Sequence, residues 1–336
     1  MVARNTGLVC IAVAMASWSA SAAAELPTVH ALTPESAALG GALTARGDSA
    51  GAIGSNPAAA FVPGGQGKRL QMGGTRFERD DRSLEQEPID GFQGAFVSQQ
   101  ERFGWGLGWF SNGQYVTDGR LAASPATRAV FEQSTMSLAL GFALGESASF
   151  GASLDALDLM TEAGDEEYDG EWGYSMGIQF APKPWQGDVG GHTLGVGLLA
   201  GAAFASEAEA SLENPGPVLV SRSLTARPQT LRAGLELAFF WLSEGLRTRL
   251  RFPLDGERRE YASLQDFAPA APTGTALVVN CVALGAEWEW GYEGSPWTLA
   301  LRAGAAVEEP DSELLERLKR VSAGVAVIYD VHSLAL

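Results

Sequence analysis

Large apolar residues alternate with small or charged residues along most of the chain after residue 66. In the run FGWGLGWFS, Phe103, Trp105 and Leu107 share one face, and the intervening glycines share the other. Neighbouring side chains of a β-strand point to opposite faces of the sheet. The pattern therefore predicts strands with one bulky apolar face and one small or charged face. It recurs at 134–144, 229–242 and 279–290.

Twelve runs have this character, and a further strand could begin at 332–336. A strand that crosses a bilayer needs ~9–11 residues, and most of the runs are that long. We expect an all-β chain with an antiparallel sheet of about 12–14 strands. The predicted strands are 67–77, 92–98, 103–111, 134–144, 148–158, 171–181, 193–206, 229–242, 246–252, 279–290, 296–307 and 319–329.

The connections between these runs alternate between short and long. Alternation of side chains alone fits both a soluble β-sandwich and a barrel, whereas alternating loop lengths are typical of a transmembrane β-barrel. Tryptophans beside the short turns suit an aromatic girdle at a membrane interface; they are Trp185, Trp241, Trp290 and Trp297. The short turns lie near 99–102, 145–147, 243–245 and 292–296, and the long polar stretches are 78–91, 112–132, 158–169, 207–227, 253–278 and 308–318. The connection at 182–192 is intermediate.

The first 24 residues have the pattern of a secretion signal. Arg4 supplies the positive charge, an apolar stretch follows, and small residues end at Ala24. We expect cleavage near Ala24 and a location in the outer membrane of a Gram-negative bacterium. Cys281 is the only cysteine after that point, so no internal disulfide is expected. The formal net charge of −17 argues against a nucleic-acid partner.

Small residues crowd the segment between the signal and the first strand. The run from Glu35 to Phe61 is rich in glycine and alanine, and Asn56-Pro57-Ala58 lies near its end. Glycine permits close backbone packing, and Pro57 fixes one backbone angle. We expect residues 25–66 to form a plug in the lumen of a barrel built from 67–336.

Most of the chain after the signal resembles the long-chain fatty-acid outer-membrane transporter (FadL-like) family, including later strands such as RPQTLRAGLEL at 227–237. The segment before the first strand is similar to that family's N-terminal plug, and GLGWFSNGQY, 106–115, resembles its third strand and the loop that follows. The plug positions carried over are Gly40, Gly41, Asp48, Asn56, Pro57 and Ala58. The aromatic-ended closing strand of that family does not follow VSAGVAVIYDVHSLAL.

The resemblance implies passive, plug-gated uptake of hydrophobic small molecules such as long-chain fatty acids. It also implies a lateral opening in the wall beside the third strand, at Gly104, Gly106, Gly108, Asn112 and Gly113. The same plug pattern is found in PorV-like secretion barrels, so a barrel that engages a protein partner is an alternative. A structural barrel with a permanently shut plug is another.

Charged residues fall on the predicted lumen face of several strands. If the strands at 246–252 and 279–290 run antiparallel, Arg247 would pair with Glu289 and Arg249 with Glu287. Two interpretations stay open: a structural ladder of ion pairs, or an arginine that anchors a ligand carboxylate or a plug carboxylate such as Asp48. The candidate lumen charges are Arg232, Glu236, Arg247, Arg249, Arg251, Glu287, Glu289 and Arg302.

Catalytic and metal chemistry have little support in the sequence. The three histidines, His30, His192 and His332, belong to no recognisable nucleophile or metal arrangement. The acidic stretch 161–171 lacks the spacing of a calcium-binding loop and predicts a solvated loop. We expect no enzyme activity, no cofactor and no metal. The expected partners are a hydrophobic small molecule, outer-membrane lipid and lipopolysaccharide, and we expect a monomer.

Overall fold

Within the residues that the structure describes, the regular structure consists of sixteen antiparallel strands and three short helices. The structure, a computed structural model, describes residues 34–39, 41–63, 67–77, 89–116, 129–161, 167–212, 223–262, 274–295, 297–313 and 317–329. The strands are β1 (Gly67–Phe77), β2 (Ile89–Gln99), β3 (Phe103–Val116), β4 (Ala129–Ala143), β5 (Ala148–Thr161), β6 (Glu167–Gly170), β7 (Trp172–Phe180), β8 (Trp185–Val189), β9 (His192–Ala205), β10 (Ala208–Leu212), β11 (Ser223–Arg227), β12 (Gln229–Ser243), β13 (Leu246–Tyr261), β14 (Leu277–Tyr292), β15 (Trp297–Pro310) and β16 (Leu318–Tyr329).

Twelve of these strands form one continuous path in which each is hydrogen-bonded to the next. Their order is β1-β2-β3-β4-β5-β7-β9-β12-β13-β14-β15-β16, and every pair is antiparallel. The four remaining strands, β6, β8, β10 and β11, are short and pair beside this path. The all-β prediction and the twelve predicted strands are confirmed.

Several strands are longer than predicted. β3 continues to Val116 and β13 to Tyr261, into stretches that were predicted to be loops. In β13 the two-residue alternation persists, because Arg259 and Tyr261 are buried while Arg258 is exposed. Ladder hydrogen bonds join backbone groups whatever the side chains are, so polar residues continue a strand once its neighbour is in place. The polarity of these segments was therefore a poor guide to the ends of the strands.

The wall curves around the N-terminal segment, which lies in its lumen. We call residues 34–63 the lumenal segment; it contains α1 (Pro34–Ala38) and two 3₁₀ helices, Ala50–Gly54 and Pro57–Ala60. No ladder joins β1 to β16 in the described parts of these strands, but α1 contacts β1, β15 and β16. The two ends of the sheet thus meet around the same helix, and the wall forms a barrel.

Large apolar side chains cover the outer face of the barrel. Leu138 in β4, Leu235 in β12 and Leu284 in β14 are about half exposed, as are many residues at equivalent positions. Such a continuous apolar surface is unusual for a soluble monomer and is typical of a lipid-facing wall. Trp185, Trp241 and Trp297, beside the short turns, are exposed as well. Among the described residues, no helix has the length and hydropathy needed to cross a membrane.

The lipid-facing wall predicts a depth-dependent effect of charge. Leu138→Arg, near the middle of β4, should cost ~2–4 kcal/mol of folding free energy in lipid vesicles, whereas Leu144→Arg beside the short turn should cost at most ~1 kcal/mol. Denaturant titration of folding, followed by heat-modifiable gel mobility, measures both. Equal costs at the two positions would contradict a bilayer around this face.

Candidate functional site

The lumenal segment packs directly against glycines on the inner face of the wall. A Cβ atom on Gly104 of β3 would overlap the carbonyl oxygen of Ala60, and a Cβ atom on Gly151 of β5 would overlap the backbone between Pro57 and Ala58. No side chain larger than hydrogen fits at these two positions in the observed arrangement. The small residues on the inner face of the strands therefore leave the space that the lumenal segment occupies.

Polar side chains of the wall satisfy the backbone of the lumenal segment. The side-chain amide of Gln99 in β2 pairs with the backbone of Val62 through two hydrogen bonds, as a neighbouring strand would. Its Oε1 accepts from the Val62 amide at 3.0 Å, and its Nε2 donates to the Val62 carbonyl at 2.7 Å. Asp255 of β13 accepts from the amides of Leu43 and Thr44 at 2.8 and 2.7 Å. A segment with little regular structure has many backbone groups that need such partners when it is buried.

Asn56 joins three parts of this interface. Its Oδ1 accepts from the Ala58 amide at 3.1 Å and so caps the second 3₁₀ helix, in which Pro57 is the first residue. Its Nδ2 donates to the carbonyl oxygens of Thr44 and Ile178, at 2.8 and 3.0 Å. The predicted plug residues Asn56, Pro57 and Ala58 are fully buried at this junction. Gly41 has a positive φ of 108°, and Gly40 lies outside the described residues.

A cluster of ion pairs connects the lumenal segment to β13, β14 and β15. Arg46 is at its centre: Nη1 is 2.9 Å from Glu35, Nε is 3.2 Å from Asp48, and Nη2 contacts Glu287 of β14. Arg302 of β15 contacts the same Glu287 and lies 3.4 Å from Glu35. The guanidinium of Arg46 and the carboxylate of Glu287 are almost completely buried, and each is compensated by opposite charge on both sides.

Asp48 binds two arginines of β13. Arg251 forms a bidentate pair with its carboxylate: Nη1 donates to Oδ1 at 3.0 Å, and Nη2 donates to Oδ2. Nη1 of Arg249 is 3.2 Å from Oδ2. Partial burial opposes ionisation of Asp48, but the guanidinium groups of Arg251 and Arg46 outweigh it and hold its pKa well below the usual range. Asp48 is therefore a charged link between the lumenal segment and the wall.

The predicted register between β13 and β14 is wrong by two residues. Arg249 lies opposite Glu289 and Arg251 opposite Glu287, while Arg247 lies opposite Gly291. A slip of two residues leaves every side chain on the same face, so alternation cannot distinguish the two registers. Instead of a carboxylate, Arg247 contacts the Thr298 hydroxyl at 3.0 Å.

The remaining candidate charges also face the lumen. Glu236 of β12 is fully buried, 3.6 Å from Nε of Arg251. Arg232 of β12 pairs with Glu257 of β13 at 3.0 Å. This pair belongs to a second cluster nearer the long connections. The cluster was not predicted, because its β13 residues lie in a polar stretch that the sequence assigns to a loop. Its other members are Arg259, Glu308 and Arg320.

The ladder between β2 and β3 ends before either strand does. It runs from Gln99 opposite Gly104 to Gln93 opposite Phe110. Beyond that point β2 still pairs with β1 as far as Ile89, and β3 still pairs with β4 as far as Val116. Within the described strands, residues 89–92 and 111–116 are thus unpaired with each other. We call this break the β2–β3 gap.

The residues of the predicted opening fall in two places, the β2–β3 ladder and the part of β3 beyond it. Gly104, Gly106 and Gly108 lie in the intact ladder and face the lumen, where they leave room for the lumenal segment and for Phe110. Asn112 and Gly113 lie in the part of β3 that borders the gap. The break in the wall is therefore confined to the long-connection end of the predicted stretch.

An apolar cluster lies next to the gap. Ile53 and Ala50 of the lumenal segment pack with Val97 of β2 and Phe110 of β3, all of them buried. Phe110 is the last β3 residue in the ladder with β2. The lumenal segment thus has two unlike parts: residues 35–48 dock on the charged strands β12–β15, and residues 50–61 dock on the apolar and glycine-rich strands β2–β5.

Among the described residues, no group of three histidine, cysteine or carboxylate side chains is arranged to hold a metal ion. His192 lies at the start of β9 against the ring of Trp241, with 6.4 Å between the ring centroids. His30 and His332 fall outside the part of the chain that the structure describes.

Comparisons with known proteins find similar structures but no similar sequences. No protein-family model and no curated protein matches the chain. The structure resembles LpxR from Salmonella typhimurium, with a TM-score of 0.43, 10% identity and coverage of 72% of this chain and 88% of that one. It also resembles the Ralstonia pickettii toluene transporter TbuX, with a TM-score of 0.40, 13% identity and coverage of 90% of this chain and 99% of that one. For the Pseudomonas putida toluene transporter TodX, the TM-score is 0.39 and the identity 11%, with coverage of 90% of this chain and 98% of that one. TM-scores in this range assign neither a fold nor a function.

The glycine clearances predict that one methyl group can dislodge the lumenal segment. Gly104→Ala should expose it to trypsin, with cleavage after the normally buried Arg46 rising at least about tenfold. Gly94→Ala in β2 is the matched control, because a Cβ atom there meets nothing within 4 Å. Mass spectrometry of a timed digestion locates the cut. Equal cleavage of both variants would contradict the close packing at Gly104.

Proposed function

We propose that the chain is an outer-membrane barrel that lets small hydrophobic molecules pass, with the lumenal segment as a movable plug. The apolar outer face of the wall supports the membrane location, together with the secretion signal expected at residues 1–24. The segment occupies the lumen between the charged strands and the glycine-rich strands, so passage requires that the segment moves. A monomer in contact with outer-membrane lipid and lipopolysaccharide is part of the same proposal.

The observation that carries the proposal is the position of the β2–β3 gap. It begins at Phe110, where the apolar part of the lumenal segment packs against the wall. On the other side of the wall, Trp109 and Leu107 of β3 are exposed on the apolar outer face. A hydrophobic molecule released from the apolar cluster at Phe110 could therefore leave the lumen sideways into the bilayer through this gap. Residues 89–92 and 111–116 are the proposed lateral opening.

The charge arrangement supports a segment that can leave. Without Asp48, Arg46 and Glu35, the wall still has three guanidinium groups, Arg249, Arg251 and Arg302, beside three carboxylates, Glu236, Glu287 and Glu289. An uncompensated buried charge would cost several kcal/mol. These wall charges balance without the segment, and Arg247, on the same inner face, is exposed to solvent and needs no buried partner.

The resemblance to the fatty-acid transporters extends the proposal to long-chain fatty acids as cargo. The apolar surface for such a cargo would come from Ile53, Val97 and Phe110, since most other inner-face positions near the segment are glycine, alanine or serine. A permanently shut structural barrel is the alternative that the two experiments below exclude or establish.

Asp48→Asn tests whether the lumenal segment gates passage. The variant keeps the shape of the side chain but removes the charge that binds Arg251 and Arg249, so the segment should loosen. We expect uptake of a hydrophobic fluorescent dye into proteoliposomes to rise several-fold. Asp188→Asn, an exposed change in β8, is the control. If neither Asp48→Asn nor removal of residues 34–61 alters uptake, the segment is no gate.

A disulfide across the β2–β3 gap tests the lateral route. In a Cys281→Ser background, Gly91→Cys with Asn112→Cys would join the two strands where the ladder is missing. Oxidation should lower dye uptake at least fivefold, and reduction should restore it. The control is Asn112→Cys with Gln133→Cys, because β3 and β4 are already paired at those positions. Unchanged uptake with a complete gap disulfide would exclude this exit.

A further inference from the structure

The lumen is open on the short-turn side of the ion-pair cluster. Along the inner face of β13, Arg251 is 1% exposed, Arg249 is 26% exposed, and Arg247, nearest the short turn, is exposed as well. Asp48 belongs to the otherwise buried part of the lumenal segment, yet 42% of its side-chain surface is accessible. Exposure therefore increases toward the short turn at Ser243–Leu246. We call the space lined by Asp48, Phe240, Arg247, Arg249 and Thr298 the short-turn vestibule.

The two arginines of this vestibule have N–H donors without an acceptor in the described structure, and these donors can bind an anion. Arg247 has no carboxylate partner among the described residues and contacts only the Thr298 hydroxyl. Arg249 reaches Asp48 at 3.2 Å and Glu289 at 3.6 Å, both through Nη1, and its Nε has no hydrogen-bond partner in the described structure. Nε of Arg249 is buried, but its Nη2 and most donors of Arg247 remain available, since a guanidinium has five N–H donors in a planar fork.

Arg249 is also held in a fixed position. Its guanidinium lies over the ring of Phe240, 5.0 Å from the ring centroid, which is a favourable cation–π distance. Arg247 and Arg249 are two residues apart on one strand and share its inner face. Two adjacent guanidinium groups, one of them stacked on an aromatic ring, form a preorganised receptor for an oxyanion.

Asp48 shows how a carboxylate binds in this place. Its Oδ2 is shared between Arg251, which is buried behind it, and Arg249, which lies on the open side. An anion that enters from the short-turn side meets Arg247 and Arg249 before it meets Arg251. It therefore competes with Asp48 for one of its two wall arginines and leaves the other contact in place.

From this geometry we infer that the short-turn vestibule binds a small oxyanion, a carboxylate or a phosphate group, through Arg247 and Arg249. Binding takes Arg249 from Asp48 and weakens the attachment of the lumenal segment to the wall. Anion binding does not depend on the proposed function, but its consequence for passage rests on the lumenal segment acting as a plug. The vestibule would make opening responsive to solutes or anionic groups on the short-turn side.

The experiment measures release of the lumenal segment with anion as the variable. The mature barrel in detergent micelles is digested with trypsin while sodium acetate or sodium phosphate replaces sodium chloride at constant ionic strength. We expect the rate of cleavage after Arg46 to rise about threefold or more and to saturate with anion concentration. A response to acetate alone assigns a carboxylate ligand, and a response to phosphate alone assigns a phosphate.

Variants separate the vestibule from general effects of salt. Arg249→Gln should abolish the anion response, and Arg247→Gln should raise the half-saturating concentration roughly tenfold, as expected for a lost charged hydrogen bond. Arg258→Gln, an exposed change on the outer face of β13, should respond like the unmodified protein. A direct calorimetric titration with the same anions should show the same ranking of the variants.

Two outcomes overturn the inference: a cleavage rate that does not depend on either anion, or an identical response in Arg247→Gln, Arg249→Gln and the unmodified barrel. The results also distinguish an error in the anion-site inference from an error in the proposed function. If Asp48→Asn raises dye uptake but the anions have no effect, only the vestibule is wrong. If anions release the segment but Asp48→Asn and the segment deletion leave uptake unchanged, the anion site stands and the gate is wrong.

Discussion

The structure depends on one constraint: a buried backbone without regular secondary structure must find hydrogen-bond partners outside itself. In the described part of the lumenal segment, short helices and turns satisfy many of the amides, and several other amides and carbonyls bond to side chains of the wall. Gln99, Gln179 and Asp255 provide partners from three different strands. The inner face is therefore polar where the segment needs donors and acceptors, and glycine where its backbone comes closest. A lumen built in this way is specific for this segment.

The same constraint explains why charged residues are concentrated on one side of the barrel. Arg46 and Asp48 carry charge into the lumen, and a buried charge is tolerated only when it is paired. Glu287 and Arg251, on adjacent strands, supply the opposite charges and also contact one another at 3.8 Å. On the opposite side, strands β2–β5 meet an uncharged part of the segment through glycines, through the apolar Val97 and Phe110, and through the neutral amide of Gln99. The polar and apolar halves of the lumen follow from the two halves of the segment.

Sequence patterns predicted the barrel well because its periodicity is local. The alternation at Trp105, Leu107 and Trp109 needs no knowledge of partner strands. Asn56-Pro57-Ala58, which the resemblance assigns to a plug, is buried against the wall. Pairing between strands was harder, since a slip of two residues leaves each face unchanged, and Arg249 was therefore assigned to the wrong glutamate. The second charge cluster was missed because Arg259 lies in a segment whose polarity resembles a loop. The β2–β3 gap has no local signature, since it is a property of two strands together.

The small inner face also limits where a cargo could travel. Space beside β3, β4 and β5 exists only because Gly104, Gly141 and Gly151 lack side chains, and the segment's backbone fills it. A cargo in that space must replace the segment, since no room remains for both. The charged strands offer a poor path for an apolar molecule, because its entry would separate ion pairs in a medium of low polarity. The apolar half next to Phe110 and Ile53 is thus the one region where displacement of the segment exposes a surface that suits a hydrophobic molecule, and it is the region that borders the break in the wall.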